Sequence, residues 1–163
     1  MERIWAPWRM KFILEGTKDR CLFCDVRDSG EDRKNFVIER GERALVMFNI
    51  YPYNNGHLMV APTRHESEFD GLDDQELREA NLLVQKWVRI LKGVLRPDGF
   101  NIGLNLGRVA GAGFEGHLHY HIVPRWNGDT NFMPVIAGTK VLSESLEAAY
   151  DRLKEALAAS EGR

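Results

Sequence analysis

The run His117-Leu118-His119-Tyr120-His121-Ile122-Val123 constrains this chain more than any other stretch, because three of its five histidines recur at every second position. Side chains alternate between the two faces of a strand, so the three imidazoles share one face while Leu118, Tyr120 and Ile122 share the other. One face is then chemical and the other is core, and the fold must supply a sheet with an apolar layer behind it. Three titratable rings in register offer no packing gain over Val or Thr. They are therefore read as a functional cluster rather than as three separately satisfied histidines.

The surrounding pattern supplies that sheet. Residues 36–39 and 44–48 read as two strands joined by a turn at Arg40-Gly41-Glu42, and 57–61 reads as a third after the loop at 52–56. Asp73 followed by Glu76 starts a helix with capping-box spacing; Leu77, Ala80, Val84, Trp87, Val88 and Leu91 then recur at helical spacing until Pro97 closes it. Residues 100–105 give a fourth strand and 117–123 the fifth. Leu146, Ala149, Tyr150, Leu153 and Leu157 predict a final amphipathic helix opened by Ser143. Strands joined mainly by turns, with helices inserted, imply an α+β fold with a mostly antiparallel five-stranded sheet.

At 163 residues and 44% hydrophobic content, the chain suits one domain over 1–163: an aromatic arm at 1–20 carrying Trp5 and Trp8, a core at 21–126, and an extension with its helix at 127–163. A net charge of −2 gives no general attraction to polyanions, so no nucleic-acid partner is expected and any phosphate must be held by local groups. No apolar run reaches membrane-spanning length and the start lacks a signal-peptide pattern, which predicts a cytoplasmic protein with no membrane partner. In that compartment Cys21-Leu22-Phe23-Cys24 suits a metal or redox pair better than a structural disulfide.

The segment Gly107-Arg108-Val109-Ala110-Gly111-Ala112-Gly113 leads into the histidine strand, and its glycines let backbone N–H groups turn toward a bound anion. By composition alone it is equally a plain inter-strand loop. Its coupling to the histidines favours the phosphate reading, since imidazole is a competent nucleophile toward phosphorus and an anion cradle would hold the developing charge.

The spacing His-φ-His-φ-His-φ-φ, with Asn49, Gly56-His57 and Asn105 upstream, resembles the histidine triad superfamily of nucleotide hydrolases and transferases. Residues 3–10, 52–60 and 124–132 are similar to its bacterial diadenosine tetraphosphate phosphorylase-like branch. The resemblance implies that His119 attacks the α-phosphorus of a nucleotide to form a nucleotidyl-histidine, that His121 contacts the phosphate, and that His57 supports the triad by hydrogen bonding. It places Asn49 at the ribose, and Asn105 with the loop around Gly111 and Gly113 at the phosphate. Water as second acceptor makes a hydrolase, and inorganic phosphate as co-substrate makes a phosphorylase. The chain departs from the pattern at Gly113, where many members carry Gln or Ser.

The resemblance also implies a structural zinc on Cys21, Cys24, His65 and His117, tying the arm to the histidine strand, whereas a Cys-x-x-Cys pair alone leaves reduced thiols open. It implies a homodimer with joined sheets, a tetramer being the larger alternative. Trp87 belongs to the core. Trp126, close behind the histidine strand, is the expected stacking platform for a base, and subunit packing is the expectation for Trp5 and Trp8. Three other functions fit the same residues: a nucleoside phosphoramidase, a non-catalytic nucleotide-binding regulator, and a metalloenzyme holding one catalytic metal on His117, His119 and His121.

Overall fold

A computed structural model describes residues 20–130 and 141–162. Of the aromatic arm only Arg20 falls among them, so the expectations for Trp5 and Trp8 lie outside the described residues. Five strands, β1 (Val37–Arg40), β2 (Ala44–Phe48), β3 (Leu58–Pro62), β4 (Gly99–Leu104) and β5 (Tyr120–Arg125), form an antiparallel sheet in the order β1-β2-β3-β5-β4. Among the described residues three α-helices accompany them: α1 (Leu22–Ser29), α2 (Asp74–Leu95) and α3 (Leu146–Glu161).

The first three strands form a meander. Helix α2 then carries the chain to the far edge, and β5 returns between β3 and β4. Every residue of β2 and β3 is buried, because both faces of the sheet are covered there. Alternation sorts the side chains. Ala44, Val46, Phe48, Leu58, Val60, Tyr120 and Ile122 face a core shared with Ala80, Trp87 and Leu91 of α2 and with Tyr150 and Leu153 of α3. Leu45, Met47, Met59 and Ala61 face a smaller cluster with Phe23 and Val26 of α1. Met59 pairs in register with His121, so the histidines belong to the α1 face, as the period of two requires.

The capping box is present: the Asp73 carboxylate accepts from the N–H groups of Gln75 and Glu76, and Glu76 returns a carboxylate to the Asp73 N–H. Helix α2 ends at Leu95 with Arg96 in the left-handed region, φ +47°, because Pro97 crowds a helical conformation at the residue before it. Strands β1, β3 and β4 are displaced by one residue from the sequence reading, and two further boundaries and one element differ from it. The C-terminal helix is capped by Ser145, whose hydroxyl accepts from the Ala148 N–H, not by Ser143. Ladder pairing in β5 starts at Tyr120 rather than His117, because β3 and β4 both make their last pair there and the Leu118 N–H turns away to the Glu66 carbonyl. Helix α1 is unanticipated: it is eight residues long, buries Phe23 and Val26, and has no side-chain cap at Cys21. No helix among the described residues is long and apolar enough to cross a membrane.

Candidate active site

Backbone groups decide the state of the buried imidazoles. The His119 Nδ1 lies 2.9 Å from the His117 carbonyl oxygen, which can only accept. Nδ1 therefore carries the proton and Nε2 keeps its lone pair. At His57 the logic runs the other way: the Tyr53 backbone N–H donates to Nδ1 at 3.0 Å, so the neutral ring carries its proton on Nε2. That Nε2–H donates to His121 Nδ1 at 2.9 Å, which leaves the neutral His121 protonated on Nε2. Neighbouring rings at 119 and 121, with centroids 4.8 Å apart, thus present a basic nitrogen and a donor side by side.

Burial keeps the His57 and His119 rings neutral. His57 is fully buried, and desolvation, reinforced by His121 and His119, holds its pKa down at about 3. Burial likewise lowers His119 below its ordinary value, against a smaller upward pull from its bond to the His117 carbonyl. A neutral imidazole at neutral pH is the nucleophilic form.

His119 and His121 open onto a cavity of about 440 Å³. Its walls are largely apolar, from Phe23, Phe36, Met47, Tyr53, Met59 and Phe114, and Asn49 and Gly113 line it as well. The Asn49 side-chain oxygen accepts from the Tyr51 N–H, which commits that oxygen and leaves the amide nitrogen as a donor. Of the remaining expected nucleotide contacts, Asn105 and Gly111 are not among the lining residues, and Trp126 lines a separate recess with Asn54, Asn55 and Asp129. Gly111, at φ +94°, ends a short 3-10 turn at Arg108–Ala110. Sequence reasoning missed Phe23, Tyr53 and Phe114, and also Leu146 and Glu147, which bring α3 to the cavity. Tyr53 lies four residues before His57, and that spacing within a tight loop was the available signal.

His117 does different work. Its Nε2–H donates to the Pro62 carbonyl at 2.8 Å, so Nδ1 faces the cysteines with its lone pair. Nδ1 lies 3.2 Å from the Cys21 sulfur and 3.8 Å from the Cys24 sulfur, and Cys24 lies 3.4 Å from His65 Nδ1. All four donor atoms fall within 4.8 Å of one another. A tetrahedral zinc with bonds of about 2.3 Å to sulfur and 2.0–2.1 Å to nitrogen separates such atoms by about 3.5 Å, so the donor set fits that ion. Burial and the adjacent Cys21 raise the Cys24 thiol pKa, a cost that a bound cation offsets. The Pro62 carbonyl is the outer partner that fixes a ligating imidazole. Of the three strand histidines only His117 enters this cluster, so the three do not form one catalytic metal site.

An antiparallel sheet carrying alternating histidines, one of them a buried neutral base poised over a cavity, defines a histidine triad protein. The HIT domain matches residues 29–128, and the chain belongs to that family. It is 41% identical over 158 residues to AP-4-A phosphorylase of Mycobacterium tuberculosis, covering 90% of this chain and 79% of that protein. An adenosine 5'-monophosphoramidase of Schizosaccharomyces pombe is 28% identical over 107 residues, covering 66% and 75%. Among solved structures, a zinc-bound histidine triad family protein of Mycobacterium smegmatis superposes with a TM-score of 0.70 at 26% identity, covering 87% of this chain and 96% of that one.

Proposed function

We propose that the protein cleaves dinucleoside polyphosphates, diadenosine tetraphosphate first among them, by nucleotidyl transfer through His119. The observation that carries this is the proton arrangement. His119 Nε2 holds a lone pair at the cavity while His121, oriented by His57, holds a proton beside it. The likeness to AP-4-A phosphorylase at 41% identity supports the choice of substrate.

In this reading His119 Nε2 attacks the α-phosphorus, the phosphorus–oxygen bond to the departing ATP breaks, and the His121 Nε2–H bonds to the phosphate oxygens as charge develops there. Inorganic phosphate then attacks the nucleotidyl-histidine and releases ADP, returning the electron pair to His119. The Asn49 amide nitrogen is the donor for the ribose hydroxyls, and the apolar wall takes the base. The Cys/His cluster holds zinc, which supplies structure rather than reaction chemistry, since its four donors are all protein atoms. Protomers pair through β4, an edge strand with Ile102 half exposed.

Incubation with diadenosine tetraphosphate, with and without inorganic phosphate, and chromatography of the products test the reading. ATP plus ADP that require phosphate are expected. ATP plus AMP regardless of phosphate would make the enzyme a hydrolase, and no cleavage in either case would remove this substrate. His119→Ala should lose turnover by a factor of about 10³ or more while keeping its fold by circular dichroism.

A further inference from the structure

Helix α1 belongs to two sites at once. Its N-cap residue Cys21 and its first-turn residue Cys24 are half of the Cys/His cluster, while Leu22, Phe23 and Val26 line the catalytic cavity. Phe23 is the shared element. Its ring lies 4.9 Å from the ring of His117, a cluster donor, and 4.9 Å from the ring of His119. It is almost fully buried, so it cannot shift without displacing both neighbours.

The attachment of α1 is uneven. At its C-terminal end the Arg40 guanidinium donates to the carbonyls of Val26 and Arg27, and Arg27 donates to the Thr63 carbonyl. At the N-terminal end no side chain caps the helix; Phe23 packs among Val37, Met47 and Met59, and the polar ties of the first turn are the exposed Arg20–Asp25 ion pair and the approach of its cysteines to His65 and His117. An eight-residue helix has little stability of its own, so the placement of the N-terminal part of this cavity wall depends on Phe23 packing together with what the cysteines hold.

We propose that Phe23 is a positioning residue through which metal occupancy of the Cys/His cluster sets the affinity of the cavity for nucleotide. The inference rests on the nucleotide reading above. With the cluster loaded, α1 is docked at both ends and Phe23 closes the wall beside His119. With the cluster empty, the first turn loses its tie and nucleotide binding must supply the ordering of that wall. Coupling of this kind is reciprocal: nucleotide tightens the hold on zinc by the same factor by which zinc tightens the hold on nucleotide.

Titration calorimetry with AMP on the zinc-loaded protein and on the protein stripped by chelation reads one side of the cycle. Competition with a chromogenic chelator, with and without AMP, reads the other. The expected result is about tenfold weaker AMP binding without zinc and a matching tenfold change in zinc affinity. In Phe23→Ala both factors fall toward one while zinc still binds. In Phe23→Leu, which keeps an apolar contact and guards against a variant that fails to fold, they are partly restored. A residue with a merely structural role would weaken AMP binding without abolishing the matched pair of factors. Equal AMP binding with and without zinc would overturn the coupling and leave the nucleotide reading standing. Absence of AMP binding in both states would overturn the two together, and undiminished coupling in both variants would overturn the assignment to Phe23.

Discussion

At the scale of single residues, the site works by fixing protons rather than by adding charge. The Tyr53 N–H and the His117 carbonyl are backbone groups whose hydrogen-bonding sense cannot change, so two main-chain atoms set the states of three imidazoles. His57 is the hinge of that chain of bonds, and its burial has a consequence for stability. Its pKa is about 3 in the folded protein and about 6.5 when unfolded, so below pH 6.5 the unfolded chain takes up a proton that the folded one refuses. Its contribution to stability is therefore complete above pH 6.5 and is lost as pH falls toward 3, at up to about 1.4 kcal/mol per pH unit. In His57→Gln that component is absent. Urea unfolding at pH 7 and pH 4.5 should show the gap between wild type and variant narrowing at the lower pH, and a gap independent of pH would show that His57 is not held neutral. Turnover of the variant at neutral pH should fall by about 10- to 100-fold, because His121 loses the partner that places its proton.

At the scale of elements, the turn into β3 places His57. Gly56 adopts φ +71°, and a Cβ there would lie 2.5 Å from Leu95 at the end of α2. Gly56→Ala should therefore cost about 1–3 kcal/mol, from the left-handed backbone and the displaced Leu95, and should lower turnover by shifting His57. Chemical denaturation beside a steady-state assay checks both effects. By contrast, the Tyr150 hydroxyl of α3 donates to the buried Val37 carbonyl on β1, far from the proton chain in the hydrogen-bond pattern. Tyr150→Phe should cost about 1–2 kcal/mol in the same denaturation experiment and leave turnover unchanged.

At the scale of the molecule, the two edge strands differ among the described residues: at β1, Tyr150 and Lys154 of α3 donate to the Val37 and Ile38 carbonyls, whereas no described strand pairs with the outer edge of β4. Both faces of β2 and β3 are covered, whereas β4 ends the sheet and leaves Ile102 exposed, and the loop beyond it exposes Leu106 and Val109. A strand edge with apolar residues is a template for another copy. Light scattering coupled to size exclusion should report a dimer, and Ile102→Arg should shift it toward monomer; a wild-type monomer would remove β4 as the pairing edge.

The histidine face, the apolar runs of β2 and β3 and the capping box of α2 were legible in the chain because each is a local period: two for strands, about 3.6 for helices. Cys21, Cys24, His65 and His117 could be grouped by resemblance, but their approach to within 4.8 Å follows from α1, the β3 exit and the histidine strand meeting in space. Helix α1 escaped the sequence reading because it is short, lacks a side-chain cap and buries only Phe23 and Val26. The proton states of His57, His119 and His121 were equally beyond reach, since they depend on which carbonyl or N–H each ring meets across the fold. Periodicity is a property of neighbours along the chain and can be read there; a tautomer, or a Cys/His cluster assembled from distant segments, is decided by contacts between residues that only the folded chain brings together.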